Sequence, residues 1–120
     1  MLLNFSSDKP IYLQLAEAIE DDIIKGIFAE ETQVISTTEL AVNLRINPAT
    51  ANKGINLLVD EGTLYKKRGV GMFVATGAKD KILHKRKENF YKSFVVTLLA
   101  EASKLGISVA DIVNMIERSK

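Results

Sequence analysis

Hydrophobic positions along this chain recur mostly at helical spacing, and only around residues 63–74 does the pattern turn strand-like. Ile11, Leu15, Ile19 and Ile23 recur every four residues, with Tyr12 and Ala16 alongside. That stripe predicts a first helix from Asp8-Lys9-Pro10 to about Lys25, stopped by Gly26. Leu40, Ala41 and Leu44 share one face of a second helix, and Ser36 and Glu39 stand at capping-box spacing at its start. Asn47-Pro48 opens a third helix, because Asn caps free N–H groups and Pro at the first helical position loses no hydrogen bond. It runs to about Glu61, and Gly62 ends it. Two β-prone runs, Thr63–Lys67 and Met72–Val74, then flank the Gly-rich stretch Arg68-Gly69-Val70-Gly71, which is a hairpin signal. Thr32-Gln33-Val34 is a further short β-prone segment.

The third helix has two faces. At 100° steps Ala51, Gly54, Ile55 and Leu58 fall together and are expected to pack inward. Ala49, Asn52, Lys53 and Asn56 lie opposite. Amides there can pair with base edges, and a Lys can reach guanine or phosphate. Two short helices joined by a tight turn, the second presenting such a face, form a helix-turn-helix, and a basic hairpin directly after it is a wing. The predicted fold is mainly α with a small β-wing: an N-terminal winged helix-turn-helix over residues 1–76, then a two-helix C-terminal dimerisation tail over residues 77–120.

The tail begins after a small-residue joint, Ala75 to Ala78. From Lys79 to about Lys104 no Pro or Gly interrupts the helical pattern. Leu105-Gly106-Ile107 ends that helix in the manner of a left-handed cap. Ser108 and Asp111 open a last one. Two helices cannot hide Phe90, Phe94, Val95, Leu98, Leu99, Ile112, Val113 and Ile116 from water, so these residues are expected to form a dimer interface. Met1 to Ser7 reads as a loose arm. Tyr12 and Gln14 read as structural residues of the first helix.

Composition narrows the chemistry. With no Cys there is no disulfide, Cys-based metal site or thiol chemistry, and the single His84 lies in a charged run. No phosphate loop or metal spacing is present, so neither an enzyme nor a cofactor is expected, and the acids Asp21, Asp22, Glu30 and Glu31 read as solvent-facing charge. A hydrophobic fraction of 47% without a membrane-length apolar run or a secretion signal leads to the expectation of a cytoplasmic protein with no membrane partner. Residues 1–76 hold seven Lys/Arg and ten Asp/Glu, a net of −3, whereas residues 77–120 hold nine and five, a net of +4. The cations of the first part gather at Lys53, Lys66, Lys67 and Arg68, where phosphates would approach. Modest, salt-sensitive DNA affinity is therefore expected.

The chain resembles the GntR family of bacterial transcription regulators, and in length and tail its YtrA subfamily. Pro10-Ile11-Tyr12-Leu13-Gln14-Leu15, Thr38-Glu39-Leu40-Ala41, Ile46-Asn47-Pro48-Ala49-Thr50, Glu61-Gly62 and Gly69-Val70-Gly71-Met72-Phe73-Val74 carry the resemblance. It implies that Thr32–Val34 forms a third strand beside the wing. It also implies a double-stranded DNA operator, contacted through Ser36, Thr38, Asn47, Ala49, Thr50, Asn52, Lys53, Asn56, Lys66, Lys67, Arg68 and Gly69. The function implied is repression of a short operon, often one for an ABC transporter, by a homodimer on an inverted repeat. The chain departs from the family pattern at Ala29-Glu30-Glu31-Thr32 in place of a Pro-Gly-Asp-type turn. Other departures are Ile35 for Pro, Thr38 for a DNA-contacting Arg, Arg45 for the Gly of the turn, and Val70 for a basic wing residue. The other reading of the same residues is a winged-helix protein-interaction module without sequence-specific DNA binding. The net negative charge of residues 1–76 favours it, and the basic wing and polar recognition face oppose it.

Overall fold

The computed structural model describes all 120 residues, Met1–Lys120. The chain forms two compact units, Met1–Leu83 and His84–Lys120. In the first, helix α1 (Ile11–Ile24) follows Pro10, and α2 (Thr37–Leu44) and α3 (Pro48–Asp60) make the helix-turn-helix. Strands β1 (Leu64–Lys67) and β2 (Gly71–Val74) pair antiparallel, with Leu64 opposite Val74 and Lys67 opposite Gly71.

The α1 stripe buries Leu15, Ala16, Ile19 and Ile23 as its spacing requires. They meet Leu40 and Ala41 of α2, Ala51, Ile55 and Leu58 of α3, and Leu64 and Val74 of the hairpin in one core. At Gly54 of α3 the α1 backbone approaches closely: a Cβ there would stand 2.9 Å from the Tyr12 carbonyl oxygen and 3.2 Å from Leu15 Cδ2.

The core also takes in Ala78 and Ile82, from the start of α4 (Ala78–Phe90). The first unit therefore extends to Leu83 and does not stop at Thr76, because the first turns of α4 supply apolar side chains to it. The segment expected as a third strand is reduced to a single bridge, Gln33 to Phe73, flanked by the bonds Val34 N–H to Met72 O at 2.9 Å and Val74 N–H to Thr32 O at 3.0 Å. The arm before α1 is pinned and not loose. Asn4 N–H donates to Gln14 Oε1 at 2.7 Å, and Gln14 Nε2 donates back to Asn4 O at 2.9 Å.

In the second unit the long helix is not uniformly α. Hydrogen bonding widens to a π turn over Tyr91–Val95 before α5 (Val96–Lys104) resumes. Gly106 closes α5 at φ 70°, with Ile107 N–H donating to Ala102 O at 2.9 Å, a Schellman cap. A reciprocal Ser108/Asp111 capping box opens α6 (Val109–Arg118).

Candidate nucleic-acid interface

The site is built by two caps and a turn. Ser36 Oγ accepts from Glu39 N–H at 3.1 Å, one half of the expected capping box, and starts α2. Asn47 Oδ1 accepts from Ala49 N–H at 2.7 Å and starts α3. Between the helices Arg45 turns the chain in the left-handed region, φ 55°. This is a conformation that a side chain makes costly, so Arg45 holds a position suited to glycine.

With α3 so placed, Ala51, Gly54, Ile55 and Leu58 are buried, while Ala49, Asn52, Lys53 and Asn56 are exposed. Thr50 is half-buried beside them. A groove of about 380 Å³ runs between α3, the start of α2 and the wing. Ser36, Thr37, Thr38, Asn52, Asn56 and Lys66 supply its polar lining, with Gln33 at its edge. The amides of Asn52 and Asn56 therefore share one concave face with three hydroxyls at the N-terminal, positive end of α2 and with one ammonium. A shallower face continues past Asn52 and Asn56 to Ala49, Lys53, Tyr12 and Asp60.

The two wing lysines part company, as neighbouring strand residues must. Lys66 lines the groove. Lys67 lies on the opposite side, its Nζ 4.1 Å from the Phe73 ring centroid and 5.9 Å from that of Tyr65. Arg68 and Gly69 stand exposed at the tip, and Gly69 takes φ 76°. The hairpin bends sharply at Gly71, where φ is 139° and an added Cβ would lie 2.5 Å from Gln33 Nε2. That same Nε2 donates to Val70 O at 2.9 Å, tying the Thr32–Val34 segment to the wing tip.

Behind the wing, Glu30 and Glu31 are not merely solvent-facing. Glu31 accepts hydrogen bonds from Thr76 Oγ1, at 2.6 Å, and from Tyr65 Oη, and Glu30 accepts from Gly77 N–H. The bonds from Thr76 and Tyr65 hold the Glu31 carboxyl below its ordinary pKa, and the same contact raises Tyr65. Glu31 also takes φ 62°, so the turn that replaces a Gly-containing one is held by its side chain.

Tyr12, Thr37 and Gln33 are additions to the residues expected from sequence. Gln33 was legible in principle: Val34 is buried, so its extended neighbour must face outward. Tyr12 gave no such signal, because its partner Lys53 lies on a different helix.

In the tail, Phe90, Phe94, Leu98, Leu99, Val113 and Ile116 are exposed, and Val95 is half-buried. Ile112 corrects the expectation: it is only 6% exposed and is packed within the chain. No single helix is long and apolar enough to cross a membrane.

Residues 11–74 match the family described as bacterial regulatory proteins, gntR family, more than half of the chain. The chain belongs to the GntR family. The match covers α1 through β2, the caps, grooves and wing just described. Among curated relatives, the HTH-type transcriptional repressor YtrA of Bacillus subtilis is 28% identical over 103 residues, 86% of this chain and 78% of that protein. A GntR-family regulator from Bacteroides thetaiotaomicron has the same fold at TM-score 0.77 and 39% identity, over 92% of this chain and 99% of that one. The DNA-binding domain AraR(DBD), solved in complex with operator ORX1, aligns at TM-score 0.56 and 30% identity over 62% of this chain and 93% of its own. Against several other curated relatives the chain spans only 30%, 29% and 31% of their length. As a GntR protein it carries the winged-helix DNA-binding fold of a family of transcription regulators.

Proposed function

We propose that this GntR protein is a sequence-specific repressor that binds an inverted-repeat operator as a homodimer in the cytoplasm. The observation that carries the reading is the groove between α3 and the wing, where Asn52, Asn56 and Lys66 converge with the hydroxyls of Ser36 and Thr38. Amides at that spacing on a helix suit adenine edges in the major groove, and the ammonium and helix N-terminus suit phosphate. The operator complex of AraR(DBD), whose fold aligns with this one, supports DNA binding by this fold. Likeness to the repressor YtrA supports repression as the mode of action, and family analogy alone suggests a short operon, such as one for an ABC transporter, as the regulated unit.

The test is a footprint on the DNA upstream of the protein's own gene, together with selection from randomised duplexes. Selection of an inverted repeat, with preference relaxed at one or two base pairs by Asn56→Ala, is the expected result. Binding that ignores sequence would overturn the reading and leave the protein-interaction alternative.

A further inference from the structure

Lys53 is the one cation on the outward row of α3, between Asn52 and Asn56. The side chain is exposed, but its ammonium has a partner. Nζ lies 4.1 Å from the ring centroid of Tyr12, over the face of an aromatic ring that belongs to the first turn of α1. The residue after Lys53 explains why the ring is there. Gly54 is buried, and a Cβ on it would stand 2.9 Å from the Tyr12 carbonyl oxygen. The absent side chain lets the α1 backbone close against α3 at this level. Leu15, one turn on, is fully buried and fixes the register. Tyr12 is thus held by the core below it while its half-buried ring faces the reading surface.

A lysine loses much side-chain freedom when it binds, and that loss weakens binding. An aromatic face attracts the ammonium and takes part of that loss before DNA arrives. We propose that Tyr12 is a positioning residue for DNA recognition: its ring holds Lys53 beside Asn52 and Asn56, so that α1 contributes to both affinity and base preference. The proposal rests on the DNA-binding reading above.

The full-length protein tests it through Tyr12→Phe, Tyr12→Leu, Lys53→Ala and the double variant Tyr12→Leu/Lys53→Ala. Each is measured on the duplex that the parent selects from a randomised pool, at one fixed salt concentration. Tyr12→Phe keeps the ring and should bind as the parent does. Tyr12→Leu should bind roughly two- to fivefold more weakly, the range expected for an exposed cation–π contact. It should also relax preference at the base pair that Lys53→Ala relaxes. In the Lys53→Ala background, Tyr12→Leu should have no further effect. A second readout does not depend on DNA: ring currents should shift the Lys53 ε-methylene protons upfield in the parent and in Tyr12→Phe, and not in Tyr12→Leu. Tyr12→Leu binding as tightly as the parent, an equal loss with Lys53 already removed, or unshifted Lys53 protons in the parent would each overturn the positioning role. If the parent itself binds no duplex, the DNA-binding reading fails and this one with it, an outcome recognisable because no variant is needed to see it.

Discussion

Two residues occupy left-handed backbone that favours glycine, and each is retained for a different reason. Arg45, at φ 55°, has no partner in the core and lies in the turn before the recognition helix. A side chain in that region costs about 1–3 kcal/mol, and glycine regains most of this less about 0.4–1 kcal/mol of extra unfolded-state freedom. Arg45→Gly should therefore stabilise the fold by about 0.5–1 kcal/mol in urea unfolding, while DNA binding weakens through loss of a cation near the phosphates. If stability and binding move together, the charge has no role at the DNA. Glu31, at φ 62°, is held by bonds from Thr76 and Tyr65. Its folded pKa lies below the ordinary value, so its contribution is complete above the ordinary carboxylate range and fades as pH falls through that range to the lowered folded value. Glu31→Gln keeps the backbone and removes the charge. Its thermal midpoint should fall below the parent's at neutral pH, and the two should converge in acid well below the carboxylate range. A gap of the same size at both pH values would show that the carboxylate form is not what holds the turn.

Elements whose rules are local were legible in the sequence. The four inward residues of α3 are those that helical spacing selects, and Asn47, Ser108 and Gly106 cap helices where their chemistry places them. What was not legible depends on neighbours distant in the chain. Three residues, Thr32 to Val34, cannot declare a strand before β2 is beside them, and here they make one bridge. The first turns of α4 read as tail because a small-residue joint follows the wing, yet Ala78 and Ile82 are apolar and buried and complete the first unit's core. The run Lys66-Lys67-Arg68 reads as one basic tip, but strand alternation sends Lys66 to the groove and Lys67 to the aromatic side. The salt dependence of DNA binding separates the two. Lys66→Ala should flatten the slope of log affinity against log salt by about one, as loss of one phosphate contact does. Lys67→Ala should leave the slope near the parent's. Equal effects from both would mean that the whole tip, and not one side of the hairpin, meets the phosphates.

At the scale of the whole molecule the proposed dimer rests on the tail. Ile112 is buried within the chain and drops out of the expected interface. Phe90 at 60% exposure and Phe94 at 64% remain in water, with their ring centroids 5.3 Å apart, and Leu98, Leu99, Val113 and Ile116 remain exposed as well. Each such side chain contributes about 1.5–3 kcal/mol when fully buried, so covering even part of this set favours association strongly. So many exposed large apolar side chains on two short helices favour an interface, and a second copy offers a matching set through two-fold symmetry. The proposed dimer then follows from the tail, and the inverted-repeat operator follows from the dimer, since two recognition helices related by a two-fold axis read two half-sites. Sedimentation of the intact chain at micromolar concentration should give twice the 13.3 kDa of one copy. Leu98→Glu or Phe94→Glu should give the single-copy mass with the helical content of the first unit intact. The same variants should still bind duplex DNA, more weakly and without preference for a repeat. A chain cut after Leu83, which keeps Ala78 and Ile82 in the core, should behave as they do, whereas a cut after Thr76 should also lose stability. If the intact protein sediments at 13.3 kDa and still selects a repeat, the symmetry of the operator does not come from the tail.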